Sequence, residues 1–224
     1  VLPPIVIDLH RPRTPGGHFP AKGTVGDPSE VVATLIKDGH DELGGAVHWI
    51  SPSGASGSVP LQSLGQQRWG ARITPEEVGA HRLKVVAWND RFATWRRDVV
   101  KRVVAGQDIS VEFEVGARLL CDLAGWAPEE TRPRLEAAAA GLRRTGTTNE
   151  VRLSAGLDDA VVEAASTVEA GWDRSQSETE MLWIDRKRAG HGAWYELFPH
   201  SYGGFRGTMS QLPRLAEMGF DVLY

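Results

Sequence analysis

The side chains that could hold a metal, attack a substrate or move a proton are seven histidines, one cysteine and 29 acidic residues. His10, His18, His40, His48, His81, His191 and His200 include no pair at the i, i+4 spacing that sets two imidazoles on one helix face, and HExxH does not occur. No shared metal site and no cofactor are expected. Ser201 lies outside the GxSxG turn that exposes a nucleophilic serine. "AGHGAW" and "YGGFRG" lack the glycine spacing of phosphate-cradling loops. No two carboxylates stand out as an acid/base pair for a glycosidic bond. Cys121 lies in an apolar helical pattern and reads as a small core residue rather than a nucleophile. Alone, it excludes an internal disulfide framework and a cysteine-rich zinc site.

Eight tryptophans against three tyrosines are the compositional oddity. Trp88 and Trp95 flank a predicted hairpin, where exposed rings would stack on sugars and make a carbohydrate-binding module. Core and interdomain packing is the simpler reading, because an indole buries a large apolar area.

The elements that position these residues follow from length and pattern. The chain has 224 residues, 41% of them hydrophobic, enough for one large domain or two small ones. A net charge of −4, spread along the chain, argues against a nucleic-acid partner. The basic run "RFATWRRDVVKR" (91–102) reads as a solvated strand edge. No apolar run approaches the ~20 residues that cross a bilayer. "VLPPIVIDLHRPR" has no basic segment before an apolar one, unlike a secretory signal, so a cytoplasmic location is expected.

Residues 1–106 read as strands, with "EVVATLI" (30–36), "GAVHWIS" (45–51), "RWGARI" (68–73) and "HRLKVVAW" (81–88) carrying β-rich or alternating patterns. Asn89 and Asp90 are expected to turn the chain into a further strand, "FATWRRDVV" (92–100). Strands at this spacing predict an immunoglobulin-like β-sandwich. Residues 107–178 predict an inserted small helical bundle. Val111, Val115, Leu119 and Leu123 recur every four residues, with Gly125 as the stop. A second helix starts near Thr131 with Pro133 in its first turn, and a third follows Ser154 with the stripe Leu157, Val161, Ala165, Val168 and Trp172.

In residues 179–224, strand character returns at "MLWID" (181–185). The run "GAWYELFPHS" (192–201), one helix in "TMSQLPRLAEMG" (208–219) capped by Gly219, and "FDVLY" (220–224) then predict a parallel βαβ unit. The fold class expected is mainly β: sandwich, helical insert, and the first βαβ unit of a truncated (β/α)8 barrel.

"GAWYELFPHS" with "LPRLAEMGFDVLY" resembles the first strand, helix and second strand of the catalytic barrel in bacterial alpha-1,4-glucan:maltose-1-phosphate maltosyltransferases, members of the alpha-amylase superfamily. "DGHDELGGAVHW", "RWGARITPEEVGAHRLKVVAWNDRFATWRRDVVKR" and "IDRKRAGHGAWYELFP" resemble the N-terminal region of the same enzymes, in order, and "WNDRFATWRRD" is the most distinctive block. The resemblance implies an N-terminal sandwich and helical insert that help form a homodimer, followed by an eightfold barrel. It implies transfer of maltosyl units from maltose 1-phosphate to the non-reducing end of an alpha-1,4-glucan with retention, through an Asp nucleophile and a Glu acid/base.

A full barrel takes about 250 residues, so the family's catalytic carboxylates come after Tyr224 and the chain alone is expected to be inactive. The chain departs from the family at His200, where Arg is usual, and in "SYGGFRGTM", which is shorter than the family's loop. His200, Ser201 and Tyr202 are the candidate residues at the barrel mouth, with no catalytic role assigned. The alternatives are the N-terminal region of another superfamily glycosidase or isomerase, and a free-standing carbohydrate-binding or dimerisation module.

Overall fold

The structure, a computed structural model, describes residues 3–224; the first two residues of the opening run lie outside the described residues. Eight strands come first: β1 (Val6–Arg11), β2 (Ala21–Thr24), β3 (Ser29–Ile36), β4 (Leu43–Ile50), β5 (Ser56–Pro60), β6 (Gln62–Gly65), β7 (Arg68–Ile73) and β8 (Gly79–Asn89). Five helices follow: α1 (Arg91–Val104), α2 (Ser110–Trp126), α3 (Arg132–Arg143), α4 (Asn149–Leu157) and α5 (Asp159–Ser166). The chain then returns through β9 (Ser175–Gln176) and β10 (Glu180–Asp185). It ends in β11 (Trp194–Tyr195), α6 (Phe205–Met209), α7 (Leu212–Glu217) and β12 (Val222–Leu223).

The strands form one sheet ordered β1-β3-β7-β6 and a second ordered β2-β10-β8-β4-β5, with β9 also paired to β8. The sheets share one core: Val31, Ala33 and Leu35 of β3 and Ile73 of β7 pack with Val47, Leu83, Val85, Leu182 and Ile184 of the second sheet. Successive side chains on a strand point to opposite faces. On β8, Leu83, Val85 and Ala87 therefore enter the core between the sheets. Val86 and Trp88 face the other way and join a second core made with the helices. β8 is the wall between the two cores.

The chain is mixed rather than mainly β, with 35% helix and 29% strand. The largest departure from expectation is α1, which occupies the segment read as a strand. Asp90 does not turn a hairpin; its side chain accepts the Ala93 N–H at 2.8 Å and caps α1. Asn and Asp serve both turns and helix caps, so the dipeptide could not distinguish them. The spacing of Phe92, Trp95 and Val99 is helical, and all three are buried. The basic residues of this helix are not a strand edge but ion-pair partners, Arg91 with Asp173, Arg97 with Glu42 and Asp98, and Arg102 with Glu112.

On α2 the buried face is Phe113, Ala117, Leu120 and Leu123, and Val111 and Val115 of the expected stripe are exposed. The helix is apolar on both sides, and contact with α1 and α3 selects the face. It runs past Gly125 to Trp126, and Ala127, extended before Pro128, ends it. α3 starts where expected, with Thr131 before it and Pro133 in its first turn. The third expected helix is two, broken at Asp158, whose carboxylate accepts the Ala160 N–H and caps α5. Of its predicted stripe only Val161 and Ala165 lie on α5; Leu157 ends α4, and Val168 and Trp172 are buried beyond the end of α5 at Ser166.

β11 and β12 pair in parallel, as the βαβ pattern predicts. The intervening helix is split into α6 and α7 at Ser210–Gln211. Of its predicted apolar side only Leu215 is buried; Met209, Leu212 and Ala216 are exposed. Gly219, at φ +87°, closes α7 as expected, with Phe220 N donating to Leu215 O at 3.1 Å.

Candidate functional site

The segment that follows β11 is built by its backbone. Pro199–Tyr202 make one 3-10 turn. Gly204 N donates to Pro199 O at 2.8 Å, and Gly203 and Gly204 hold φ values of +76° and +90°, open to glycine at little cost. The turn packs so closely on α6 that a Cβ on Gly207 would stand 1.4 Å from Tyr202 O. This places His200, Ser201 and Tyr202 side by side with exposed side chains. Among the described residues no side-chain hydrogen bond or ion pair engages the three. The arrangement can offer hydrogen bonds to a ligand; no hydrogen bond joins the His200 imidazole to the Ser201 hydroxyl.

Two polar clusters tie the helices to the sheet. The buried Asn89, at the end of β8, donates through Nδ2 to Asp41 at 3.3 Å and to Asp173 at 3.2 Å. Lys37 also pairs with Asp41, and Arg91 with Asp173 at 3.3 Å. Lys37, then Asn89, hold the Asp41 carboxyl below the usual range; Asn89, then Arg91, do the same for Asp173. Two charged acceptors sharing cationic and amide donors make a clamp, not an acid/base pair. In the second cluster Glu169 accepts from His48 Nε2 at 2.6 Å, Ser58 Oγ at 3.0 Å and Arg174 at 2.9 Å. His48 and Glu169 are 121 residues apart, and no spacing rule could have paired them.

Trp88 and Trp95 are each 5% exposed, so neither offers a face to a sugar. Trp95 stacks on Phe92 at 5.6 Å and donates Nε1 to Glu112 O at 3.0 Å. Cys121 is not a core residue; it is exposed on α2, with Arg143 Nη1 3.5 Å from its sulfur. Among the described residues no group of three His, Cys, Asp or Glu side chains could hold a metal ion, and no helix is long and apolar enough to cross a membrane.

The helices also expose apolar side chains. Val100, Val103 and Val104 near the end of α1, and Val111 and Val115 near the start of α2, are all exposed, Val104 by 85%. The Arg102–Glu112 pair, at 3.5 Å, holds these helix ends together. Both helix ends thus carry exposed aliphatic side chains. The βαβ unit exposes a second set, with Trp194, Phe198, Phe205 and Tyr224 each more than 60% accessible.

A family model described as "Alpha-1,4-glucan:maltose-1-phosphate maltosyltransferase, domain N/S" matches residues 3–186. Among curated proteins, the alpha-1,4-glucan:maltose-1-phosphate maltosyltransferase 1 of Streptomyces coelicolor is 37% identical over 98% of this chain and 34% of its own length. The enzyme of the same name from Chlorobaculum tepidum is 35% identical over 98% of this chain and 34% of its own. That from Rhodospirillum rubrum is 32% identical over 100% of this chain and 36% of its own. The chain thus spans about a third of the length of the curated relatives it matches.

Proposed function

We propose, from the premise that this chain belongs to the alpha-1,4-glucan:maltose-1-phosphate maltosyltransferase domain N/S family, that it is the N-terminal scaffold of such an enzyme. The parent protein would transfer maltosyl units from maltose 1-phosphate to an alpha-1,4-glucan with retention. The single observation that carries this reading is the family match over residues 3–186, followed directly by the parallel pair β11–β12. The catalytic Asp and Glu expected of the superfamily would lie after Tyr224, so the chain alone would be inactive.

The organisation that fits is an immunoglobulin-like sandwich over 1–106, whose closing helix α1 packs with the helices that follow, a helical bundle inserted over 107–178, and over 179–224 the return strand, linker and start of a (β/α)8 barrel. The placing of β10 between β2 and β8 supports an insertion, because the chain re-enters the second sheet after the helices. The exposed apolar side chains of the βαβ unit support a barrel start, because a parallel sheet is covered on both faces. His200, Ser201 and Tyr202 would then stand at the barrel mouth, at the C-terminal end of its first strand. The valine surface of α1 and α2 supports a homodimer through the N-terminal region. A lone cysteine fits a reducing compartment and supports a cytoplasmic location.

The test is phosphate release from maltose 1-phosphate with a glucan acceptor. The protein extended to the relatives' length should release phosphate and lengthen the glucan, and the 224-residue chain should do neither. Turnover by the short chain, or none by the extended one, overturns the proposal.

A further inference from the structure

Leu182 and Ile184 of β10, with Ala21 of β2, pack into the core between the two sheets. Side chains alternate along a strand, so Met181 and Trp183 of β10 and Lys22 and Thr24 of β2 lie on the outer face of the second sheet. Pairing sets these residues in rows. Lys22 stands beside Trp183 and Trp183 beside Ala80; in the next row Met181 stands beside Arg82 and Arg82 beside Ile50. The row after that is Lys84, His48 and Ser58.

This face is covered at one end only. Val86 and Trp88 enter the core made with the helices, and Glu169 closes over His48 and Ser58. Beyond that row, Met181, Trp183 and Ile50 are 46%, 41% and 38% exposed. The solvated face of an antiparallel sheet ordinarily alternates to polar side chains. An indole, a thioether and a guanidinium in adjacent rows are instead the residues that interfaces favour. Among the described residues no ion pair or side-chain hydrogen bond engages Lys22 or Arg82, the two cations beside these apolar groups.

The linker after β10 leads to the open end of this face. Residues 186–193 separate β10 from β11, a reach of at most about 30 Å. Lys187–Ala189 form one 3-10 turn. A Cβ on Gly190 would stand 3.0 Å from Thr24 Cγ2, so the turn ends against the outer face at β2. The same turn is tied to the βαβ unit: Arg188 pairs with Asp221 at 3.4 Å, and Asp221 accepts the Ala193 N–H at 3.0 Å.

We propose that the open half of this face, centred on Trp183, Met181 and Ile50, is the docking surface for the barrel of the same polypeptide. The covering surface is apolar at its centre and acidic at its rim, where Lys22 and Arg82 need partners. This rests on the reading that a (β/α)8 barrel continues from the βαβ unit. The tether selects the barrel over a second copy, because a short linker holds its two ends at an effective concentration of about millimolar.

Hydroxyl-radical footprinting read by mass spectrometry tests the proposal, comparing the 224-residue chain with the protein extended to the relatives' length. Met181 and Trp183 should oxidise at least threefold more slowly in the extended protein. Trp126, 45% exposed at the end of α2, should keep its rate in both. Arg82→Glu sets a like charge against the acidic rim. In the extended protein it should raise Met181 oxidation at least twofold while circular dichroism stays that of the parent. A smaller difference between the two proteins overturns the docking surface, as does equal protection of Trp126. Protection already present in the short chain and growing with its concentration assigns the face to a second copy, and overturns it too. A smaller effect of Arg82→Glu overturns the acidic rim. None of these readings needs maltosyl transfer. Protection without phosphate release leaves the docking surface standing and fails the functional reading; phosphate release without protection does the reverse.

Discussion

The indole of Trp95 lies against Gly116, where a Cβ would meet the ring at 2.3 Å. This contact seats α1 on α2 and completes the core that β8 shares with the helices through Val86 and Trp88. The space between the two helices at this point is the space that a glycine leaves.

Gly116→Ala should therefore destabilise the fold. The gain in intrinsic helix propensity is about 1 kcal/mol. Forcing a methyl group into a packed contact typically costs about 1–3 kcal/mol, and here it must displace a ring held by Phe92 and by the bond to Glu112 O. The expected outcome is a net loss with a lower urea midpoint. An unchanged or higher midpoint would show that Trp95 moves freely. Gly125→Ala is the matching control, because nothing stands within 4 Å of its added Cβ.

Glu114 should titrate far below an ordinary glutamate. Arg143 donates to it at 2.9 and 3.1 Å and Arg118 at 2.9 Å, and these bonds lower its carboxyl from 4.5 to about 2. The folded value is the lower one, so the tie between α2 and α3 is fully present above pH 4.5 and is lost as the pH falls toward 2. Carboxyl ¹³C NMR should give a midpoint near 2, and Arg143→Gln should raise it toward 4.5. The cluster is exposed, so added salt should weaken the shift.

The valine surface on α1 and α2 should set the oligomeric state. Val104→Asp and Val111→Asp place a charge on side chains that are 85% and 69% exposed, so the single chain should fold as before. Light scattering should give the parent chain twice the monomer mass of 24.4 kDa and the variants the monomer mass itself. A monomeric parent chain, or variants that remain dimers, would remove this surface as the interface.

Where the pattern is local, the residues announced their structure. The alternation in "HRLKVVAW" gave β8 its two faces, Pro133 opened α3, Gly219 closed α7, and "GAWYELFPHS" with "FDVLY" supplied the parallel pair. His200, Ser201 and Tyr202 do sit together after β11, because three consecutive residues on one turn cannot be far apart. The errors share a different origin. Asn89–Asp90 is compatible with a hairpin and with a helix start, and α2 has two apolar faces of similar strength. In both cases the deciding partner lies elsewhere in the chain.

The sequence by itself determined the family, most of the strands, the starts of α2 and α3 and the parallel βαβ end, since these depend on neighbours along the backbone and on motifs read in order. Only the tertiary structure decided that Trp88 and Trp95 are buried, that Cys121 is exposed and that Val111 faces outward. It alone joined Glu169 to His48. The physical reason is that burial and hydrogen bonding belong to pairs of surfaces, and those surfaces are assembled from segments that no local rule brings together.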